Sequence, residues 1–137
     1  MSVTNISPDL DGFHLRSITL TPTNAAGTGV LNSIPAKAKV VRLGANVNDT
    51  DDFTVLPALS TVPSGHQITI IAGVANSELR TPASSAEEIN SEDCDGTKEA
   101  LLTATNIYTV TKIDSTIGWM LEGRTAIGAY ATAIIPD

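Results

Sequence analysis

Short runs rich in β-branched residues, each closed by turn-forming residues, recur along the chain and constrain its fold more than any other feature. The run Gln-Ile-Thr-Ile-Ile at 67–71 follows a Pro-Ser-Gly turn, and the run Ile-Tyr-Thr-Val-Thr-Lys-Ile at 107–113 follows Asn106. Runs of this composition, bounded by Gly, Pro, Ser and Asn, are typical of strands. The sequence therefore predicts an all-β fold, a β-sandwich or jelly roll of about eight short antiparallel strands.

The pairing of the strands is predicted from the turns between them. Asn76 and Ser77 should form the tip of a hairpin that joins 66–72 to 78–81. A turn at 105–106 should pair 98–104 with 107–113. Further strands are predicted near 13–21 and at 38–43, 53–56, 119–122 and 126–135. Residues 1–13 are predicted to form a polar N-terminal arm, and residues 14–137 a single β-sandwich domain.

Composition limits the partners of such a domain. The 137 residues include 42% hydrophobic ones, enough for one core, and 15 acidic against 8 basic side chains give a net charge of −7. Phosphate recognition needs clustered Lys and Arg, so we expect no nucleic acid partner. The N-terminus has no signal-peptide pattern and no window reaches the roughly 18 apolar residues of a membrane span. We therefore expect no membrane partner, and synthesis in a cytoplasm.

Catalytic patterns are weak. Only His14 and His66 could serve as a histidine base, and no Gly-x-Ser-x-Gly nucleophile elbow accompanies them. His66 follows a turn at the start of a strand, which favours a solvated or edge position. We expect no enzyme activity and no cofactor. A small hydrolase would require His14 or His66 to lie beside a Ser and an Asp in a cleft.

The acidic stretch 87–95 contains the single cysteine, Cys94. Its neighbouring carboxylates should disfavour the thiolate, so we expect an unreactive thiol. Part of the stretch resembles a calcium-binding loop, but Ser91 replaces the first carboxylate and Leu102 stands where the bidentate Glu belongs. A solvated acidic loop without a metal is the favoured interpretation, both here and for the acidic residues at 49–52.

A set of turn and strand residues covering about half of the chain resembles a pattern of tailed-bacteriophage virion proteins. It comprises Leu-Pro-Ala at 56–58, Pro-Ser-Gly at 63–65 before the run at 67–71, a turn around Asn76, Pro-Ala-Ser at 82–84, Ile-Asn at 89–90, and the β-run at 107–113 before Gly118 and Trp119. Small single-domain chains of this kind resemble capsid decoration, or cement, proteins. Others are domains of head fibres, tail fibres or spikes.

The resemblance implies a virion structural protein on the capsid surface, which binds the outside of an icosahedral head and stabilises contacts between capsomers. The implied partners are the major capsid protein and further copies of the chain, as a homodimer or homotrimer. Candidate residues for the capsid or subunit interface lie near the two termini: Phe13, Leu15, Tyr130, Ile134 and Ile135. The alternative is a receptor- or carbohydrate-binding domain of a phage fibre. Trp119, the only tryptophan, is expected to pack in the core or at a sheet edge rather than to form a sugar-binding platform.

Overall fold

The structure is a computed structural model and describes residues 17–22, 32–44, 52–73, 76–83, 85–96, 98–131 and 136. These residues form one single-turn 3-10 helix, Leu59–Thr61, and ten strands. The strands are β1 (Ser17–Leu20), β2 (Val40–Leu43), β3 (Phe53–Val55), β4 (Gln67–Ile71), β5 (Ser77–Arg80), β6 (Glu88–Ile89), β7 (Glu92–Asp93), β8 (Ala100–Leu102), β9 (Ile107–Asp114) and β10 (Gly118–Arg124). No α-helix occurs in these segments, which confirms the all-β prediction.

Two sheets form the sandwich. The large sheet has seven strands in the order β1-β2-β4-β9-β10-β6-β7, and the small sheet has three in the order β3-β5-β8. Between β2 and β9 the chain alternates between the two sheets, because β3, β5 and β8 each lie between strands of the large sheet in sequence. The hairpin of β9 and β10, the two longest strands, forms the centre of the large sheet.

The core lies between the sheets and is built mainly from aliphatic side chains on alternate strand positions. Val110 on β9 and Ile68 on β4 are cross-strand partners in the large sheet, and both are fully buried. Leu79 on β5 contributes from the small sheet. Trp119 and Tyr108 are the largest buried side chains, so of the two positions predicted for Trp119, core or sheet edge, the structure shows the core.

The predicted antiparallel arrangement is wrong for half of the strand pairs. Four of the eight pairs, β1 with β2, β2 with β4, β3 with β5 and β6 with β10, are parallel. The physical reason is the alternation between sheets. A chain that crosses to the opposite sheet and returns enters the first sheet in its original direction, and the long connections between these strands permit it. The jelly-roll topology stays a prediction.

Two predicted hairpins are also wrong. Strand β5 does not return along β4 after the turn at 76–77, but pairs with β3 and β8 in the small sheet. Strand β8 likewise pairs with β5 and not with β9. The β9–β10 hairpin forms as the turn residues at 115–118 indicate, with six residue pairs in one register from Trp119 to Arg124 and a shift of register between Gly118 and Trp119. Of these three turns, only the one at 115–118 identified the strand partners correctly.

The acidic stretch differs from the predicted solvated loop because it contains β6 and β7, the edge of the large sheet. Ile89 and Cys94 within it are buried in the core, which anchors the stretch to the sandwich. The predicted arm, 1–13, and the acidic residues 49–51 lie outside the described residues. Of the predicted last strand, 126–131 forms a turn with one isolated bridge, Arg124 to Tyr130, and 132–135 lie outside the described residues.

Candidate functional surfaces

The outer face of the large sheet is exposed along β10. Met120, Glu122 and Arg124 occupy alternate positions and all three are exposed. Their cross-strand partners on β9 are Thr111, Thr109 and Ile107 respectively. Cross-strand partners share a face of the sheet, so these six side chains form one continuous surface, which we call the β10 face. Met120 and Ile107 are 46% and 45% exposed, so this surface carries apolar area as well as charge.

A hydrogen-bonded turn at 125–131, which we call the C-terminal turn, follows β10. The backbone N–H of Gly128 donates to the carbonyl of Thr125 at 2.8 Å, and the N–H of Ala131 donates to the carbonyl of Gly123 at 2.9 Å. These bonds bring Tyr130 back beside Arg124, to which it is joined by an isolated bridge. Backbone hydrogen bonds therefore fix the position of the turn relative to β10.

The C-terminal turn presents two exposed apolar side chains. Ile127 is 91% exposed and Tyr130 is 76% exposed, the highest values among the large hydrophobic residues that the structure describes. The Arg124 guanidinium lies 3.9 Å from the centre of the Tyr130 ring and donates through Nη1 to the Gly128 carbonyl at 2.9 Å. The stacking and the hydrogen bond hold Arg124 and Tyr130 in place, so both present a preorganised surface.

Of the five interface residues predicted from the sequence, the described residues include only Tyr130, and it is exposed. Phe13, Leu15, Ile134 and Ile135 lie outside the described residues. Sequence reasoning missed Ile107, Arg124 and Ile127. The position of Ile127 one residue before Gly128 was a usable signal, because a hydrophobic residue at a turn is exposed.

A second arginine, Arg80, differs from Arg124 because two carboxylates neutralise its charge. Its Nη2 lies 3.0 Å from a Glu78 oxygen and 2.8 Å from a Glu99 oxygen, and its guanidinium stacks on Phe53 at 4.0 Å. Arg124 also stacks on an aromatic ring, but within the described part of the chain no carboxylate lies within ion-pair distance of it. The β10 face therefore carries an arginine that no carboxylate among the described residues neutralises.

Inside the sandwich, a set of polar groups fastens the 3-10 helix to the sheet. The buried Lys112 ammonium donates to the carbonyls of Leu59 at 2.6 Å and Val62 at 2.7 Å. The backbone N–H of Leu59 donates to Oε1 of Glu87 at 3.0 Å. Burial raises the pKa of the Glu87 carboxyl above its ordinary value, while the Leu59 hydrogen bond and the nearby Lys112 charge oppose that shift. We call Glu87, Lys112 and the segment 59–62 the polar clasp.

A cleft of about 260 Å³ opens beside the polar clasp, between the 3-10 helix and the β9–β10 turn. Its lining is rich in hydroxyls and includes Ser60, Ser85, Ser115, Thr116 and Glu87. His66 does not line it. The imidazole is buried, and its Nδ1 lies 2.9 Å from the Lys39 ammonium, so the expected solvated histidine is wrong.

The thiol of Cys94 is buried in the core. Burial is the main reason why its pKa rises to about 11, and the Asp93, Glu99 and Glu92 carboxylates add to the effect. The expected unreactive thiol is thus supported, although the larger cause is burial and not the neighbouring charges. Within the ranges that the structure describes, no three His, Cys, Asp or Glu side chains are grouped as metal ligands would be.

No family model matches the chain, and no curated protein is significantly similar to it. In the described part of the chain, no helix has the length and apolar character needed to cross a bilayer.

Trp119 is 1% exposed. It therefore offers no aromatic platform to a ligand, and the exposed apolar side chains of the C-terminal turn are the main candidate contact surface.

Proposed function

We propose that the protein is a virion structural protein of a tailed bacteriophage, which binds the outer surface of the icosahedral head and stabilises contacts between capsomers. The proposal combines the sequence resemblance with one structural observation. That observation is the C-terminal turn, which holds Ile127 and Tyr130 almost fully exposed on a hydrogen-bonded support. A single exposed apolar side chain is ordinary, but two on the same hydrogen-bonded turn form a candidate contact site for another macromolecule.

The proposed mechanism is mechanical. Ile127 enters an apolar depression of the major capsid protein, while the stacking of Arg124 on Tyr130 and the hydrogen bond from Arg124 to the Gly128 carbonyl hold the turn in place. An apolar side chain on a support that is already held in place binds with little loss of conformational freedom. The long β9–β10 hairpin, which carries the turn, transmits load from this contact into the core.

The experiment uses purified particles of the phage that encodes the chain. Mass spectrometry and electron microscopy should find the protein on the outer surface of the head. Particles that lack the chain should bind the purified wild-type protein in a co-sedimentation assay. Ile127→Asp should abolish this binding, because the carboxylate would have to be desolvated in an apolar contact.

Ile117→Asp is the matched control. Ile117 is 49% exposed in the turn at the opposite end of β10, so the same substitution there should leave binding unchanged. Particles without the protein, or equal binding by Ile127→Asp and wild type, would contradict the proposal. A fibre-domain function, the alternative, would instead place the chain in tail or head fibres, where the same mass spectrometry on fractionated particles would find it.

A further inference from the structure

We propose that the β10 face is a self-complementary surface through which two copies of this chain form a twofold-symmetric dimer. The inference goes beyond the proposed function and does not depend on it. It rests on the relation between Glu122 and Arg124, which are two positions apart on the same strand and point to the same face.

Neither charge is neutralised within the described chain. Arg124 stacks on Tyr130 and donates to the Gly128 carbonyl, but no ion pair joins it to a carboxylate, and none joins Glu122 to a cation. The cross-strand neighbours of the two residues are Ile107 and Thr109, which cannot neutralise either charge. An acidic group and a basic group therefore stand on one exposed sheet surface, and among the described residues neither is ion-paired.

A twofold axis can place Glu122 and Arg124 of one copy opposite Arg124 and Glu122 of a second copy. Suppose that two β10 faces stack so that the twofold axis lies in the plane between them, perpendicular to the strands and level with Gly123. The two β10 strands then run antiparallel. Glu122 of one copy then faces Arg124 of the other, and the reverse contact forms as well. An isologous interface has this property, in which residue i contacts j and j contacts i.

The surroundings of the charge pair suit such a contact. Met120 and Ile107 are about half exposed on the same face, Tyr130 lies beside Arg124, and the remaining positions are the small Thr109 and Thr111. Sheets that pack face to face interdigitate side chains of this size. The chain carries a net charge of −7, so two copies repel over most of their surface. The alternating charges of the β10 face provide a local exception.

The dimer also explains how one small domain could join two points. The twofold axis across Gly123 sends the two C-terminal turns to opposite ends of the dimer, since each turn follows the last residue of β10. Ile127 lies at the tip of each turn, beyond the contact. A dimer therefore carries two apolar tips that point away from each other.

The test is charge reversal, read by sedimentation velocity at low ionic strength over a range of concentrations. The wild type should associate to a dimer, and Glu122→Arg should be monomeric because it places two arginine pairs opposite each other. Arg124→Glu should be monomeric for the converse reason. Among the described residues no hydrogen bond or ion pair joins the Glu122 side chain to the C-terminal turn, so Glu122→Arg changes the face without removing a polar contact of that turn.

Two further measurements, on a mixture of the variants and on the double variant, complete the test. An equimolar mixture of Glu122→Arg and Arg124→Glu should form heterodimers, because one face is then wholly basic and the other wholly acidic. The double variant E122R/R124E should recover the homodimer, since exchanging the two charges preserves their complementarity. Lys37→Glu is the matched control for Arg124→Glu. It also replaces a cation with a carboxylate, at an exposed residue outside β10, and should remain dimeric.

A wild type that is monomeric at every soluble concentration would overturn the inference, as would a trimer. So would a dimer that persists in both single variants, because it would use another surface. Failure of the mixture and of the double variant to reassociate would also overturn it. None of these results depends on phage particles, so they are separable from the test of the proposed function.

Discussion

Lys112 in the long strand β9 donates its ammonium group to the carbonyl of Leu59 at 2.6 Å, which joins the large sheet to the 3-10 helix. The same ammonium binds the Val62 carbonyl at 2.7 Å, so one buried cation satisfies two carbonyls of an irregular segment. Buried backbone polar groups need such partners, and a segment without regular structure must obtain them from side chains. The polar clasp is therefore a structural device that orders the connection between β3 and β4.

Removing the cation should be costly. We expect Lys112→Met to lower the free energy of unfolding by about 2–4 kcal/mol, because two buried carbonyls lose charged hydrogen-bond donors. Urea unfolding followed by tryptophan fluorescence would measure the change, with Trp119 as the probe. Lys98→Met is the control, since Lys98 forms an exposed pair with Glu92 at 2.6 Å and should leave stability unchanged. Equal stability of the two variants would contradict the role of the polar clasp.

The start of β10 depends on a glycine. Gly118 has φ +80°, and a Cβ added to it would lie 2.5 Å from the Glu88 carbonyl oxygen. Gly65 has nearly the same φ, +82°, but a Cβ there would meet nothing within 4 Å. Both Gly→Ala variants share the backbone strain, so the difference between them isolates the steric clash.

We expect Gly118→Ala to cost about 1–3 kcal/mol more than Gly65→Ala, the range usual for overpacking. Thermal unfolding of the two variants would measure this difference. Because the clash is with β6, amide hydrogen exchange at Ile89 and its neighbours should quicken in Gly118→Ala and not in Gly65→Ala. Identical stabilities would show that β6 moves aside without cost.

The stability of the protein should depend on pH through Glu87. Burial raises its folded pKa above the ordinary 4.5, so the folded state binds more protons than the unfolded state just above that value. The contribution of the Glu87 proton to stability is therefore fully present below the ordinary pKa and is lost as pH rises through the folded pKa. The wild type should therefore lose stability relative to Glu87→Gln as pH rises through the folded pKa of Glu87.

Asp114 should make the stability depend on pH in the opposite direction to Glu87. Hydrogen bonds from the backbone N–H groups of Ile117 and Thr116 lower its pKa, so its contribution is present above the ordinary value and is lost as pH falls. Urea unfolding at a series of pH values for wild type, Glu87→Gln and Asp114→Asn would separate the two effects. A Glu87→Gln difference that grows in favour of the wild type as pH rises would refute the assignment.

The sequence by itself determined most of the strands, but it missed β6 and β7 in the acidic stretch and predicted a last strand where 126–131 forms a turn. The runs at 67–71 and 107–113 and the turn at 115–118 carry their signal in local composition, because β-branched residues and glycine act through the backbone of the same few residues. Burial of Trp119 followed from its size and the scarcity of other aromatic residues. Tyr130 was recognised as a surface candidate from its place in a small-residue segment near the C-terminus.

Only the tertiary structure decided which strands are neighbours and what lies on each surface. The sequence predicted hairpins for β5 and β8, but the chain crosses between sheets, and no local residue encodes a crossing. The ammonium of Lys112 meets Leu59 and Val62 across 53 and 50 residues of sequence. Whether a surface charge such as that of Glu122 or Arg124 has an ion-pair partner among the described residues depends likewise on the groups that the fold brings together. Contacts between distant segments depend on how the sheets pack, and a linear pattern of residue types does not specify that packing.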